Sequence, residues 1–295
     1  MRPLSTFAVI GLVLAFLFPS ASTKAQSAPP RRLSEDGIVV AIHNQAPWGY
    51  VDKGGAVVGF YPDLIRAVFG PELMKKVHFK VVDWPALIPS LAHRVDIVAS
   101  GTAITPQRCK QVAFSSPDVT IGDGVLVQAG NLLRIHSYAD IAANQAIRMG
   151  GGRGSSNTEN AFKAGVPKGR MQLFDVETGI EALKSGRIDA FTVSTATATA
   201  TAIAVLAGSN DKGIERALPF TGYMEAGRAV VSYAAVAFRL EDHDLRDFYE
   251  AGWRKRQLDG TVTKIGSRYG FSAAEMPPSS LTVDDICSGN AGERR

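Results

Sequence analysis

The sequence predicts an α/β protein built on parallel sheets, with a crevice for a ligand outside the carboxyl ends of its strands. Three observations carry this. Residues 77–82 (VHFKVV) alternate like a half-buried strand, 85–91 place Leu87, Ile88 and Leu91 on one helical face, and 95–99 return to an apolar strand, a βαβ unit. That strand then runs out into SGTAITPQRCKQVAFSSP, small residues leading to Arg108, where outward N–H groups and a planar guanidinium suit a carboxylate. Finally, no Gly/Ser-rich or Pro-rich stretch divides the 295-residue chain after its first residues, so any two domains are joined by strands.

Taken in order, the chain opens with Arg2, an apolar run over 7–18 and the small-residue segment SASTKA. This is the pattern of a secretory signal peptide, residues 1–25, and the run is short of the ~20 residues a membrane span needs. Export to the periplasm follows as the expected localisation, and the lack of a Cys near the cut argues against a lipid anchor. Removing residues 1–25 takes away two of the 32 basic side chains, Arg2 and Lys24, leaving 30 against 28 acidic ones. A net charge of about +2 gives no electrostatic case for nucleic acid or an anionic membrane.

Residues 37–42 (GIVVAI) read as a buried strand, followed by a polar loop with Trp48 and Tyr50, a Gly-Gly turn, and a helix opened by Pro62 with Leu64, Ile65, Val68 and Phe69 inward. Trp84 follows the 77–82 strand, so Trp48, Trp84 and the Arg108 loop should converge on one crevice. Strands are expected at 124–130 and 146–149, with a short helix at 138–142 between them. The run GGGRGSSNTENAF then puts Gly154, Ser155 and Ser156 before a helix, where exposed N–H groups and hydroxyls can hold an anion; it lacks the Gly-Lys-Ser/Thr of a phosphate loop. Thr178 and Glu181 read as a capping box opening a helix that ends at Gly186, and 188–193 (IDAFTV) as a strand. The Ala/Thr run that follows reads as a helix capped by Ser194 or Thr195. Residues 230–238 read as a strand, and Leu245, Phe248, Tyr249, Gly252 and Trp253 give an amphipathic helix over 241–258. A disordered tail is expected at 288–295. Cys109 and Cys287 are an even pair that permits a disulfide in an oxidising compartment, and two Cys with five scattered His show no metal-ligand spacing.

ITPQRCKQVAFSSP resembles the carboxylate-binding loop of the family 3 periplasmic solute-binding proteins of ABC importers, most of all the ectoine and hydroxyectoine binders. The resemblance extends to Pro47-Trp48-Gly49-Tyr50, to Ile188-Asp189-Ala190 against the family's Val-Asp-Ala strand, and to Asp259-Gly260-Thr261 near the C-terminus. It implies the type II periplasmic binding protein fold: lobe 1 from 33–122 and 230–287, lobe 2 from 123–229, and hinge strands near 120–123 and 226–232. It further implies a monomer that binds a small solute between the lobes and delivers it to a membrane permease and its ATPase, without cofactor or metal. Ligand contacts would come from Gln45, Trp48, Trp84, Ser100, Gly101, Ala103 and Arg108 in lobe 1, and from Ser155, Ser156, Ser194 and Thr195 in lobe 2.

Two departures bear on the solute. Amino-acid binders of the family carry an Asp after the Val-Asp-Ala strand, where this chain has Ser194, and a hydroxyl cannot compensate a desolvated ammonium as a carboxylate does. The ectoine-type relatives carry an acid ahead of the Pro-aromatic element and an aromatic before ITP; here those positions are Gln45 and Ala103. Trp48 and Trp84 remain for cation–π contact. A polar amino acid is the alternative solute. Some proteins of this fold are periplasmic dehydratases, but the expected lining holds no carboxylate and no His besides His43, so binding rather than catalysis is expected.

Overall fold

The computed structural model describes residues 28–208, 213–272 and 275–289. The expected signal peptide and residues 290–295 of the expected tail lie outside them. Among the described residues no helix is long and apolar enough to cross a membrane.

The first half of the chain lays down β1 (Ile38–Ile42), a small hairpin of β2 (Tyr50–Val51) and β3 (Val57–Val58), α1 (Phe60–Met74), β4 (Val77–Val81), a single 3₁₀ turn at Trp84–Ala86, α2 (Leu87–Ser90), β5 (Ile97–Ala103), α3 (Pro106–Cys109), β6 (Ala113–Phe114) and β7 (Val119–Ile121). The helix α1 starts at Phe60, two residues before the expected Pro62, and breaks at Gly70-Pro71. β5 does not stop at Ala99: Thr102 and Ala103 pair with Ala235 and Ala234 of a strand near the C-terminus, so the expected small-residue loop is sheet.

After Gly122 come β8 (Asp123–Gln128), α4 (Tyr138–Ala143), β9 (Met149–Gly152), α5 (Ser156–Lys163), β10 (Met171–Phe174), α6 (Val176–Lys184), β11 (Ala190–Ser194), α7 (Thr195–Gly208) and β12 (Ile214–Arg216). A hairpin of β13 (Met224–Glu225) and β14 (Arg228–Ala229) leads into β15 (Ser232–Phe238), then α8 (His243–Leu258), α9 (Thr261–Arg268) and α10 (Val283–Cys287). The expected capping box at Thr178 is absent because α6 begins earlier, with Asp175 as its N-cap. Among the described residues a capping box is instead formed by Thr282 with Asp285, opening α10. Ser288 belongs to the end of that helix, its Oγ donating to the Asp284 carbonyl, so order extends past the expected start of the tail.

Two sheets result. One has the order β4-β1-β5-β15-β6, with β7 also paired to β15; β4, β1 and β5 are parallel, and β15 is antiparallel to its neighbours. The other has the order β10-β9-β11-β8-β12, with β10, β9 and β11 parallel and β8 antiparallel to both its partners. The chain leaves the first sheet between β7 and β8 and returns between β14 and β15. Both faces of each sheet are covered, as continuous apolar strands require. All seven residues of β5 are buried, with Ile97 and Ala99 against α1 and α8 and Val98 on the opposite face with Leu87, Leu91 and Ile286. In the second sheet Val125, Val127 and Met149 pack with Tyr138 and Ile141, while Leu126, Phe191 and Val193 pack with Leu183. Each such fully buried aliphatic or aromatic side chain contributes about 1.5–3 kcal/mol. Cys109 and Cys287 are disulfide-bonded and tie α10 to α3.

Candidate functional site

The parallel strands of both sheets end at one cleft. From the first sheet it receives His43, Gln45 and Trp48 after β1, Trp84 and Pro85 after β4, and Ser100, Gly101 and Ala103 from the end of β5. From the second it receives Gly152, Arg153, Ser155, Ser156 and Asn157 at and after the end of β9, Phe174, Asp175 and Val176 at and after the end of β10, and Thr192, Val193, Ser194 and Thr197 at the junction of β11 with α7. Three helices, α5, α6 and α7, start there. The cleft holds about 690 Å³ of empty space, its mouth included.

On the lobe 1 wall, Trp48 is nearly buried, stacked on Tyr61 at 6.2 Å between ring centres and tilted against Phe271 at 5.2 Å. Its indole rests on Gly101, whose φ of +70° and closeness to the ring leave no room for a side chain. Ser100 Oγ accepts the His43 N–H at 2.8 Å, joining β5 to the end of β1. The Trp84 ring is half-buried and meets His43 edge-on at 6.0 Å.

On the lobe 2 wall, Ser155 caps α5, its Oγ accepting Thr158 N–H at 3.2 Å. Ser194, not Thr195, caps α7, accepting Thr197 N–H at 3.0 Å and donating to Thr197 Oγ1 at 2.8 Å. Thr195 is off the wall: its N–H bonds the Gly122 carbonyl and its side chain lies against Gly122, because the first turn of α7 rotates it toward the crossing strand. Asn157 is committed to the Gly122 carbonyl and to Asp123. Burial raises the Asp123 carboxyl above its ordinary value, opposed by hydrogen bonds from Asn157, Tyr223 N–H and Asn160.

The lobes already touch. Thr197 Oγ1 accepts from Gln45 Nε2 at 2.9 Å and from the Trp48 indole N–H at 3.0 Å, besides Ser194. Three donors thus meet on one oxygen with two lone pairs. Arg108 makes the second bridge. It does not stand on the cleft wall as expected, but donates to the Ala103 carbonyl at 2.8 Å, directly behind the wall, and to the Gly154 carbonyl of lobe 2 at 3.1 Å. Burial lowers its pKa from the ordinary value, and no ion pair among the described residues neutralises it. It is a desolvated cation with donors to spare, one carbonyl away from the cleft.

Of the expected contacts, Gln45, Trp48, Trp84, Ser100, Gly101, Ala103, Ser155, Ser156 and Ser194 are brought together on the wall, and Arg108 and Thr195 are not. Thr197 was hidden in a run of alternating Thr and Ala, although its i+3 spacing from the capping Ser194 marks it. Arg153 and Asp175 also line the cleft, so the expectation of a lining without a carboxylate is wrong. The signal for Asp175 was its place between a strand end and a helix start, and β10 was not among the expected strands.

Residues 38–272 match the bacterial extracellular solute-binding proteins, family 3. The chain belongs to that family. It is 34% identical over 259 residues, 85% of this chain and 83% of the other, to a protein named "Probable amino-acid ABC transporter periplasmic-binding protein" from Sinorhizobium fredii. Among solved structures, EhuB in complex with hydroxyectoine superposes with a TM-score of 0.75 at 31% identity, covering 87% of this chain and 96% of EhuB. The ancestral amino-acid-binding protein AncCDT-1, described as a precursor of cyclohexadienyl dehydratase, superposes with a TM-score of 0.68 at 26% identity, covering 81% and 97%. The family-level resemblance and the type II fold class expected from the sequence therefore hold.

Proposed function

We propose that this protein is the periplasmic receptor of an ABC importer, capturing a small carboxylated zwitterion of the ectoine or hydroxyectoine kind between its lobes for delivery to a permease and its ATPase. The observation that carries this reading is the cleft itself: strand ends of both sheets wall it, and Gln45, Trp48 and Arg108 already bond across it. A solute touching both walls selects the closed arrangement. Arg108 supplies the carboxylate's partner once its bond to Gly154 is exchanged for the solute, and Trp84 offers a flat face to the cationic part. The likeness to EhuB with hydroxyectoine supports the solute class. The Cys109–Cys287 disulfide suits an oxidising compartment.

The test is a thermal-shift screen of the mature chain against ectoine, hydroxyectoine, betaines, proline and polar amino acids, with calorimetry on the responders. A ligand at ~100 times its dissociation constant stabilises by about 2.7 kcal/mol. Arg108→Ala is expected to lower affinity by roughly 100-fold while leaving the unfolding free energy within about 1 kcal/mol, since a desolvated charge pair is lost from binding and only two backbone contacts from folding. Unchanged affinity in that variant removes the carboxylate clamp.

A polar amino acid is the second reading, favoured by the amino-acid-binding neighbour and by the acid that Asp175 adds to the wall. Asp175 also gives the dehydratase alternative a carboxylate, and that alternative predicts turnover of a prephenate-like acid by the purified chain.

A further inference from the structure

We propose that Asp175 is the residue that reads the cationic group of the solute, which assigns the cleft to zwitterions whose positive charge reaches lobe 2. This rests on the reading of the cleft as a zwitterion site and adds the missing half of the charge recognition.

Asp175 is the one carboxylate on the wall among the described residues. Its position is fixed by backbone rather than by its own side chain. It stands between β10 and α6, its carbonyl accepts Gly179 N–H at 2.8 Å, and its carboxylate makes no capping bond to the helix it precedes. An Asp at an N-cap normally turns back onto the helix N–H groups, so a carboxylate left free there is available to something else. No ion pair among the described residues includes it; the neighbouring Arg153 spends one nitrogen on the Leu173 carbonyl at 3.2 Å instead.

The other wall groups cannot do this work. Ser194 is neutral, and its hydroxyl is engaged twice with Thr197. Gln45 is held by Thr197. His43 and Arg153 carry no negative charge. The aromatic contribution comes from lobe 1, where Trp84 lines the same cleft. A cation between Trp84 and Asp175 is therefore held by both lobes, one through its ring face and one through its charge, and only the closed arrangement provides both.

The test compares calorimetric affinities of the mature protein, Asp175→Asn, Glu177→Gln and Arg153→Gln for ectoine, hydroxyectoine and L-arginine. Asn is itself a good N-cap, so Asp175→Asn is expected to fold like the wild type. It should weaken every probe the wild type binds by about tenfold or more, with the loss shrinking as salt is added. Glu177→Gln, an exposed acid off the wall, should stay within about twofold, as substitutions outside a charge pair do, and Arg153→Gln, on the wall itself, should not weaken binding of a cation held by Asp175. A loss below twofold in Asp175→Asn overturns the assignment and leaves the zwitterion reading standing. A loss in Arg153→Gln with none in Asp175→Asn overturns it too, in favour of a second carboxylate on the solute. A wild type that ignores all three zwitterions and binds glutarate, a dicarboxylate without a cation, overturns both readings together.

Discussion

The two walls of the cleft are built differently. Lobe 1 presents side chains that are extensions of its core: Trp48 is 5% exposed, stacks on Tyr61, tilts against Phe271 and rests on the backbone of Gly101. Lobe 2 presents helix starts, short hydroxyls and two exposed charged residues, Arg153 and Asp175. The difference teaches a division of labour. A wall locked into a close-packed core fixes where the solute lies, and a wall of adjustable polar groups decides which charge it accepts and how tightly the lobes close.

The largest expected effect tests the locked wall. Gly101 and Gly154 both have positive φ, +70° and +64°, but a Cβ at Gly101 would lie 2.7 Å from Trp48 Cε3, whereas one at Gly154 would meet nothing within 4 Å. Gly101→Ala is expected to cost roughly 2–4 kcal/mol, the sum of a left-handed alanine and a displaced indole, and Gly154→Ala only about 1 kcal/mol. Urea unfolding measures both, with the midpoint falling at constant slope. Equal costs at the two sites mean that Trp48 shifts freely and that lobe 1 is no more rigid than lobe 2.

The same contrast explains what could be read from the sequence. Lobe 1 was legible because apolar periodicity reports packing: β1, β4 and the stripe of α8 follow from it, and the loops after those strands deliver Gln45, Trp48, Trp84 and Ser100 to the wall. Lobe 2 was less so. Met149–Gly152 is a strand although glycine disfavours strands, because Ile188 and Phe191 fill the space that a side chain at Gly150 would need. Asp175 escaped because Thr178 and Glu181 imitate a helix start three residues late. Arg108 stands out by its chemistry, and spacing does not show that its guanidinium folds behind Ala103. These are tertiary facts, and they concern polar groups whose partners lie far along the chain.

An intermediate effect is expected at the latch between the walls. Thr197→Val keeps the shape of α7 but removes the oxygen that receives Gln45 and Trp48. Once the lobes part, water satisfies both donors, so the loss should be about 1 kcal/mol, a roughly fivefold shift toward the open form. Small-angle scattering of the unliganded protein should give a larger radius of gyration for the variant. An unchanged radius means that the Arg108–Gly154 bridge alone holds the lobes.

The smallest effect separates two acids that flank the crossing strand, the buried Asp118 in lobe 1 and the half-buried Asp123 in lobe 2. Burial raises both above the usual carboxylate value, and hydrogen bonds oppose it in both, from two asparagines and a backbone N–H at Asp123 and from the Tyr61 hydroxyl at 2.7 Å and backbone N–H groups at Asp118, but Asp118 is the more deeply buried and Glu250 adds repulsion. Asp118 is accordingly pushed well above the ordinary range and Asp123 less so. A raised folded-state pKa means that the folded chain holds the proton at pH values where the unfolded chain, with an Asp value of about 3.9, has lost it. That stabilisation is complete below the unfolded value and is lost as pH rises through the folded one, at up to about 1.4 kcal/mol per pH unit. Asp118→Asn stays neutral at every pH and keeps an oxygen for Tyr61. Its unfolding free energy should therefore decline less than the wild type's between pH 4.5 and 7, and Asp123→Asn should change that slope less. Parallel pH profiles for wild type and Asp118→Asn would mean that Asp118 is ionised in the fold, and that Tyr61, on which Trp48 stacks, leans on a charge rather than on a neutral acid.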